Sequence, residues 1–148
     1  MTPPTTRLGA WTRIGLAGIG IGLVAVLGLA RSLEPDPRGF GTHEQLGLRP
    51  CAFRSSTGVS CPSCGMTTAF SEAVRGRLGR SWRANPAGCL IAAASPLLAA
   101  WLFGTAASGR TRSTRSVWGP PAGAAVAAVA AGLLAWCVRI YWQGSGQG

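Results

Sequence analysis

Ile14-Gly15-Leu16-Ala17-Gly18-Ile19-Gly20-Ile21-Gly22-Leu23-Val24-Ala25-Val26-Leu27-Gly28-Leu29-Ala30 is an uninterrupted apolar stretch bracketed by Arg13 and Arg31. Rising about 1.5 Å per residue, a helix of this length covers about 25 Å, slightly short of the hydrocarbon core of a bilayer. The stretch therefore predicts a transmembrane helix over 14–30, with Trp11 extending it at the interface. Gly18 and Gly22 stand four apart, a spacing that lets two helix backbones approach closely and offers a face for self-association or another membrane protein. A secretory signal peptide is the rival reading. Arg7 and Arg13 form a basic start and Gly28-Leu29-Ala30 resembles a small-residue cleavage site, but the apolar run is long for such a segment.

Two further runs extend the pattern. Asn85-Pro86 reads as a helix start, with Asn as the N-cap and Pro at the first helical position. The apolar run 87–104 follows it, and Pro96 is expected to kink that helix. A third run, 120–138, has Trp118 at one end and Trp136, Tyr141 and Trp142 at the other, as an interfacial aromatic belt has. Charged residues are 12% of the chain and hydrophobic residues 47%, where a soluble domain carries about a quarter charged. The formal net charge is +10 and every basic residue is Arg. These arginines cluster beside the apolar runs without an interleaved aromatic platform. They predict contact with a lipid bilayer and no nucleic acid.

The segment between the first two runs carries the chemistry. Residues 31–60 read as a loop broken by Glu34-Pro35-Asp36-Pro37 and Gly39-Phe40-Gly41. A helical period then appears. Met66, Ala69, Phe70, Ala73, Val74 and Leu78 fall on one face, and Thr67, Thr68, Ser71, Glu72 and Arg75 on the other. This predicts a short amphipathic helix over 66–79, lying on the membrane surface or against the other helices. The chain is accordingly expected to be an all-α integral membrane protein with three transmembrane helices and one amphipathic helix between the first and second. It reads as one domain over 1–148. Arg7 and Arg13 place the amino terminus in the cytoplasm and the cysteine segment 51–65 outside an inner membrane. A raw count of arginines in the first loop argues the reverse, but Arg75, Arg77, Arg80 and Arg83 lie on or just after the amphipathic helix, where they can hold headgroups.

Cys51, Cys61 and Cys64 form a Cys-x9-Cys-x2-Cys constellation, with Cys61-Pro62-Ser63-Cys64-Gly65 (CPxCG) at the mouth of a helix. Three chemistries fit. A Cys-x-x-Cys pair closes into a small disulfide, and a helix start lowers a thiol pKa, so thiol–disulfide exchange is one; the βαβ context of thioredoxin-like proteins is missing. Metal binding is another, with Zn²⁺ on Cys51, Cys61 and Cys64 and a fourth ligand from His43, water or another chain. The third is a structural disulfide from Cys51 to Cys61 or Cys64 in an extracytoplasmic loop. Cys89 and Cys137 sit in or at the edge of apolar runs and read as packing thiols. Other catalytic furniture is absent: the acidic residues are Glu34, Asp36, Glu44 and Glu72, and no nucleophile triad, phosphate loop or dinucleotide fingerprint is present. No acidic or basic residue lies inside an apolar run, which argues against a proton or ion path.

The run Cys51…Thr57-Gly58-Val59-Ser60-Cys61-Pro62-Ser63-Cys64-Gly65-Met66-Thr67-Thr68-Ala69, then Arg75-Gly76, then Asn85-Pro86 ahead of a span, resembles a bacterial membrane family catalogued as domain of unknown function 2752. The resemblance covers about residues 48–104. This chain has Thr68 where many members have Arg, and Gly76-Arg77-Leu78 where they have Gly-Asp-Leu. The resemblance implies a small integral membrane protein with the cysteine segment after the first span, and it implies no particular activity. The expected function is therefore a non-enzymatic accessory or interaction protein with a cysteine-stapled or metal-bound surface segment. The alternative is a membrane thiol–disulfide or metal-handling protein.

Overall fold

The computed structural model describes residues 6–111 together with 123, 127, 130, 132, 134, 137, 138 and 141. Among these, the elements in chain order are β1 (Thr6–Arg7), α1 (Ala10–Ser32), a 3-10 helix (Thr42–Leu46), α2 (Ala52–Thr57), α3 (Met66–Ala73), α4 (Leu78–Ala84), α5 (Pro86–Ser108) and β2 (Arg110–Thr111). The described residues are all-helical apart from the two-residue antiparallel ladder of β1 and β2. Two described helices, α1 and α5, are long and apolar enough to cross a membrane. The expected third span, 120–138, lies outside the continuously described residues.

The chain divides into two compact units, Met1–Val26 with Ala94–Ala127 and Leu27–Ala93 with Ala128–Gly148. In the first, Leu16, Leu102 and Ala106 are buried against Leu8, Ala17, Leu23 and Leu98. Gly20 makes room there. A Cβ at this position would lie 3.0 Å from the Phe103 ring, so the missing side chain is what lets the aromatic seat on α1. The ends are fastened by polar contacts. Leu8 N donates to the Gly109 carbonyl, and Arg13 donates from Nε to Ala106 O (2.7 Å) and from Nη2 to Ala107 O (3.3 Å). The last carbonyls of a helix have no intrahelical donor and carry partial negative charge, which is why a guanidinium is favourable there. Large apolar side chains otherwise point outward, among them Ile14, Ile19, Ile21 and Leu97.

The second unit has a polar interior. Thr42, Thr68, Ser71 and Ser81 are fully buried, and Glu72 and Asn85 nearly so. Each is held by specific bonds, because a buried hydroxyl or amide without a partner is costly. Thr42 Oγ1 and Thr68 Oγ1 are 2.8 Å apart, Ser71 Oγ donates to Leu33 O (2.6 Å), and Ser81 Oγ donates to Ala69 O (2.7 Å). Arg75 reaches back to α1, donating to Ala30 O (3.3 Å) and Arg31 O (2.9 Å).

Three expectations for this unit need correction. The helix expected over 66–79 is broken: α3 stops at Ala73, and Gly76 takes a left-handed conformation (φ +74) before α4 starts at Leu78. The amide of Gly76 bonds Ala73 O and that of Arg77 bonds Glu72 O, so the turn satisfies carbonyls that a continuing helix would have used. The polar face of α3 is also buried, with Thr68, Ser71 and Glu72 inside the unit alongside Ala69 of the apolar face, while Leu78, which the expected helix would have put on that apolar face, is about half exposed in α4. Hydroxyls on the polar face find carbonyls and other hydroxyls inside the unit, which a surface position would leave to water. Finally, residues 31–60 are not purely loop; they contain the 3-10 helix and α2.

Candidate thiolate metal centre

Three short pieces of chain bring the thiols together. Cys51 immediately precedes α2, its carbonyl accepting from the Ser55 amide (2.9 Å) and hydroxyl (3.0 Å). Gly58 ends α2 in a left-handed conformation and turns the chain back. Arg54 fixes the return: Nη1 donates to Ser60 Oγ (2.6 Å), and the guanidinium lies 3.7 Å from the centroid of the Phe40 ring. Cys61 and Cys64 then sit in the turn that opens α3, where the Cys64 amide donates to Cys61 O (3.0 Å).

Gly65 is the pivot of this turn. Its φ is +82, and a Cβ would lie 2.6 Å from both the Ala84 and the Gly39 carbonyl oxygens. Only glycine lets three backbone segments meet at that point. Asn85 locks the turn to the next helix. Its Oδ1 accepts from the Gly88 amide (2.9 Å), the N-cap bond expected of Asn85-Pro86. Its Nδ2 donates to Pro62 O (3.0 Å) and Cys64 O (3.1 Å). The sequence reading recognised the cap and missed the tie, since nothing local to Asn85 announces bonds to residues more than twenty positions earlier.

The Sγ atoms of Cys51, Cys61 and Cys64 lie within 4.8 Å of one another. Cys51 and Cys61 are 3.5 Å apart, and Cys61 and Cys64 3.1 Å. Sulfurs bound tetrahedrally to one metal at about 2.3 Å stand about 3.8 Å apart, so small side-chain adjustments make the three a ligand set. They line a cavity of about 680 Å³ with Phe40, His43 and Arg54. His43 shares the cavity but does not join the thiol group; its Nε2 lies 3.3 Å from the Arg49 carbonyl. Cys89 is buried apart from the site with its thiol 3.8 Å from Leu78 O, and Cys137 is exposed.

The surroundings split the thiols electrostatically. Burial pushes the Cys61 thiol up, but hydrogen bonds from the Ser63 hydroxyl, the Cys64 and Cys51 thiols and the Ser63 amide outweigh it and bring the pKa down to about 7. Burial, followed by the neighbouring Cys61 and Cys51 thiols, drives Cys64 up to about 12. The surroundings thus favour the thiolate at Cys61 and the protonated thiol at Cys64. Among the described residues no carboxylate joins the group. Asp36 is instead held below its ordinary range chiefly by its hydrogen bond with Arg38.

Residues 51–102 match the family described as protein of unknown function (DUF2752). This agrees with the resemblance carried by the cysteine run and Asn85-Pro86. The matched segment begins at the first of the three thiols and ends within α5, so it contains the three thiols, the short helices α2, α3 and α4, and the Asn85 tie. No curated protein and no solved structure matches the chain.

Proposed function

We propose that this is an integral membrane protein without catalytic activity of its own, whose segment between two spans is organised by a soft metal ion, Zn²⁺ in the first instance, on Cys51, Cys61 and Cys64. The observation that carries this reading is the convergence of three sulfurs within 4.8 Å from two separate chain segments. Thiolates are the donors that thiophilic ions select, and a bound cation holds such thiols deprotonated. Cys51 would fasten the α2 loop, and Cys61 and Cys64 the start of α3. A fourth position is left for water, for His43 after a ring movement, or for a partner's side chain. Membrane insertion is supported by the length of α1 and α5 and by their outward apolar side chains. The run 120–138 supplies a third span, and Arg7 and Arg13 put the amino terminus on the cytoplasmic side of an inner membrane with the thiols opposite. Metal analysis of protein purified without chelators, together with a count of free thiols, tests the reading. About one metal per chain with the three thiols protected supports it. Three freely titrating thiols and no metal reject it.

Thiol–disulfide exchange is the second reading, and the 3.1 Å separation of the Cys61 and Cys64 sulfurs favours it. The Cys61 thiolate would attack a substrate disulfide, releasing one substrate thiol. Cys64 would then displace the second, leaving a Cys61–Cys64 disulfide, so that the substrate is reduced by two electrons and the protein oxidised by two. A protein isolated with this one disulfide and no metal supports that reading over the first.

A further inference from the structure

We propose that α4 is a binding site for anionic phospholipid, with Leu78 and Trp82 entering the edge of the acyl layer and Arg80 and Arg83 holding the headgroup. The argument starts from the orientation of this helix. Ser81 and Ala84 are buried, and Ser81 fixes the inward side through its bond to Ala69 O. At about 100° per residue, Leu78 and Trp82 then fall together on one outward flank and Arg80 and Arg83 on the other. Leu78 is 52% and Trp82 51% exposed, an unusual amount of large apolar surface for so short a helix. An indole beside a guanidinium pair is the composition that suits the boundary between acyl chains and headgroups.

The basic flank opens on a cleft of about 420 Å³ to which Arg38, Gly39 and Thr68 also contribute. Two carboxylates border it, and both are engaged: Asp36 with Arg38 at 2.7 Å, and Glu72 with Arg77. Arg83 also makes a contact within the protein. A guanidinium has five N–H donors, so that contact leaves others to bind a phosphate oxygen. The cleft therefore carries excess positive charge. A second copy of this chain, itself at net +10, is a poor occupant; an anionic lipid surface is complementary. Position agrees with charge. Ala84 ends α4 and Pro86 begins α5, so a membrane-crossing α5 brings α4 to the headgroup layer. The site rests on that reading of α5 and is independent of the thiol chemistry.

The test uses the full chain in nanodiscs of phosphatidylcholine with and without phosphatidylglycerol. The fluorescence difference between wild type and Trp82→Phe isolates Trp82, and lipid brominated near the top of the acyl chain should quench it. Phosphatidylglycerol should be enriched among the lipids retained by wild type, and the enrichment should fall about fivefold for each of Arg80→Gln and Arg83→Gln at low salt. The lipid measurement stands if Trp82→Phe fails to fold. An unquenched Trp82, an enrichment unchanged in the double arginine variant, or crosslinking at position 82 to protein in place of lipid overturns the site. Release of wild type from membranes by alkaline carbonate overturns the spanning reading of α5, and the site with it.

Discussion

The side chain of Asn85 joins the first turn of α5 to Cys64, donating from Nδ2 to the Cys64 carbonyl at 3.1 Å while Oδ1 accepts from the Gly88 amide. One amide thus caps a helix and fixes the turn that presents two of the three thiols. Both of its ends are used, which neither Asp nor Ser can reproduce.

Asn85→Ala should therefore cost more than a cap. The lost cap is worth about 1 kcal/mol, and the bonds to the Pro62 and Cys64 carbonyls add about 1 kcal/mol each, for about 3 kcal/mol in all. Asn85→Asp keeps the acceptor and loses the donor, so it should restore the cap but not the cysteine turn. Thermal unfolding in detergent measures the first effect, and metal retention measures the second. A loss near 1 kcal/mol for Ala, with Asp equal to wild type, shows that the tie to Cys64 contributes nothing.

Gly65→Ala should be among the most damaging single changes outside the thiols. The left-handed backbone costs an alanine about 1 kcal/mol. The larger penalty comes from two backbone carbonyls 2.6 Å from the new Cβ, which cannot move without shifting the Gly39 and Ala84 segments. Gly58→Ala has no neighbour within 4 Å and should show only the conformational cost. Comparing their melting temperatures separates strain from collision, and equal shifts contradict the packing at Gly65.

The apolar length of α1 and α5, the N-cap at Asn85 and the proximity of Cys61 to Cys64 were legible in the sequence because each is a local signal. Run length, a dipeptide and a three-residue spacing need no knowledge of the fold. The orientation of α3 was not legible. Periodicity says that Thr68, Ser71 and Glu72 share a face, but not that this face is buried together with Ala69. The usual assumption of an apolar interior fails where loop carbonyls such as Leu33 O and hydroxyls such as Thr42 lie on the inner side. The break at Gly76 was hidden because Leu78 continues the apolar period of α3 past the glycine. The six residues of α2 are too few to show any period.

Ser71→Ala should destabilise by about 1–3 kcal/mol, since it removes a buried donor to Leu33 O and an acceptor for Arg75 Nη1 at 2.7 Å. Arg75→Gln should act through the same group, because Arg75 also bonds the Ala30 and Arg31 carbonyls at the end of α1. Measured in a double-mutant cycle, the two losses should fall short of additive. Strict additivity shows that Ser71 and Arg75 hold α1 independently.

In metal-free protein, Cys61 should be the first of the three thiols to alkylate. The thiolate is the reactive form. Its fraction rises with pH, so the Cys61 rate should climb through a midpoint of about 7. Cys64, pushed up to about 12, should stay slow across the same range. Iodoacetamide labelling followed by peptide mapping gives both profiles. Equal rates for Cys61 and Cys64 at pH 7 mean that the hydrogen bonds to Cys61 do not hold its charge.

Cys51, Cys61 and Cys64 should behave as one unit, and Cys89 and Cys137 should stand outside it. The first three sulfurs lie within 4.8 Å of one another, whereas Cys89 is buried beside Leu78 and Cys137 is exposed. A metal on three thiolates fastens α2 to the turn before α3, so losing any one ligand releases the same connection. Each Ser variant should lower stability by a few kcal/mol, and a double variant should add little to a single one. A Cys61–Cys64 disulfide predicts a different pattern: Cys61→Ser and Cys64→Ser would match each other, and Cys51→Ser would be mild. Cys89→Ser and Cys137→Ser should leave metal content unchanged in either case. Melting temperature, metal content and thiol count for the five single variants and the Cys51/Cys64 double variant distinguish these patterns. If all three loop variants are neutral and their thiols titrate freely in native protein, the cysteine run is a helix-entry turn and holds no site.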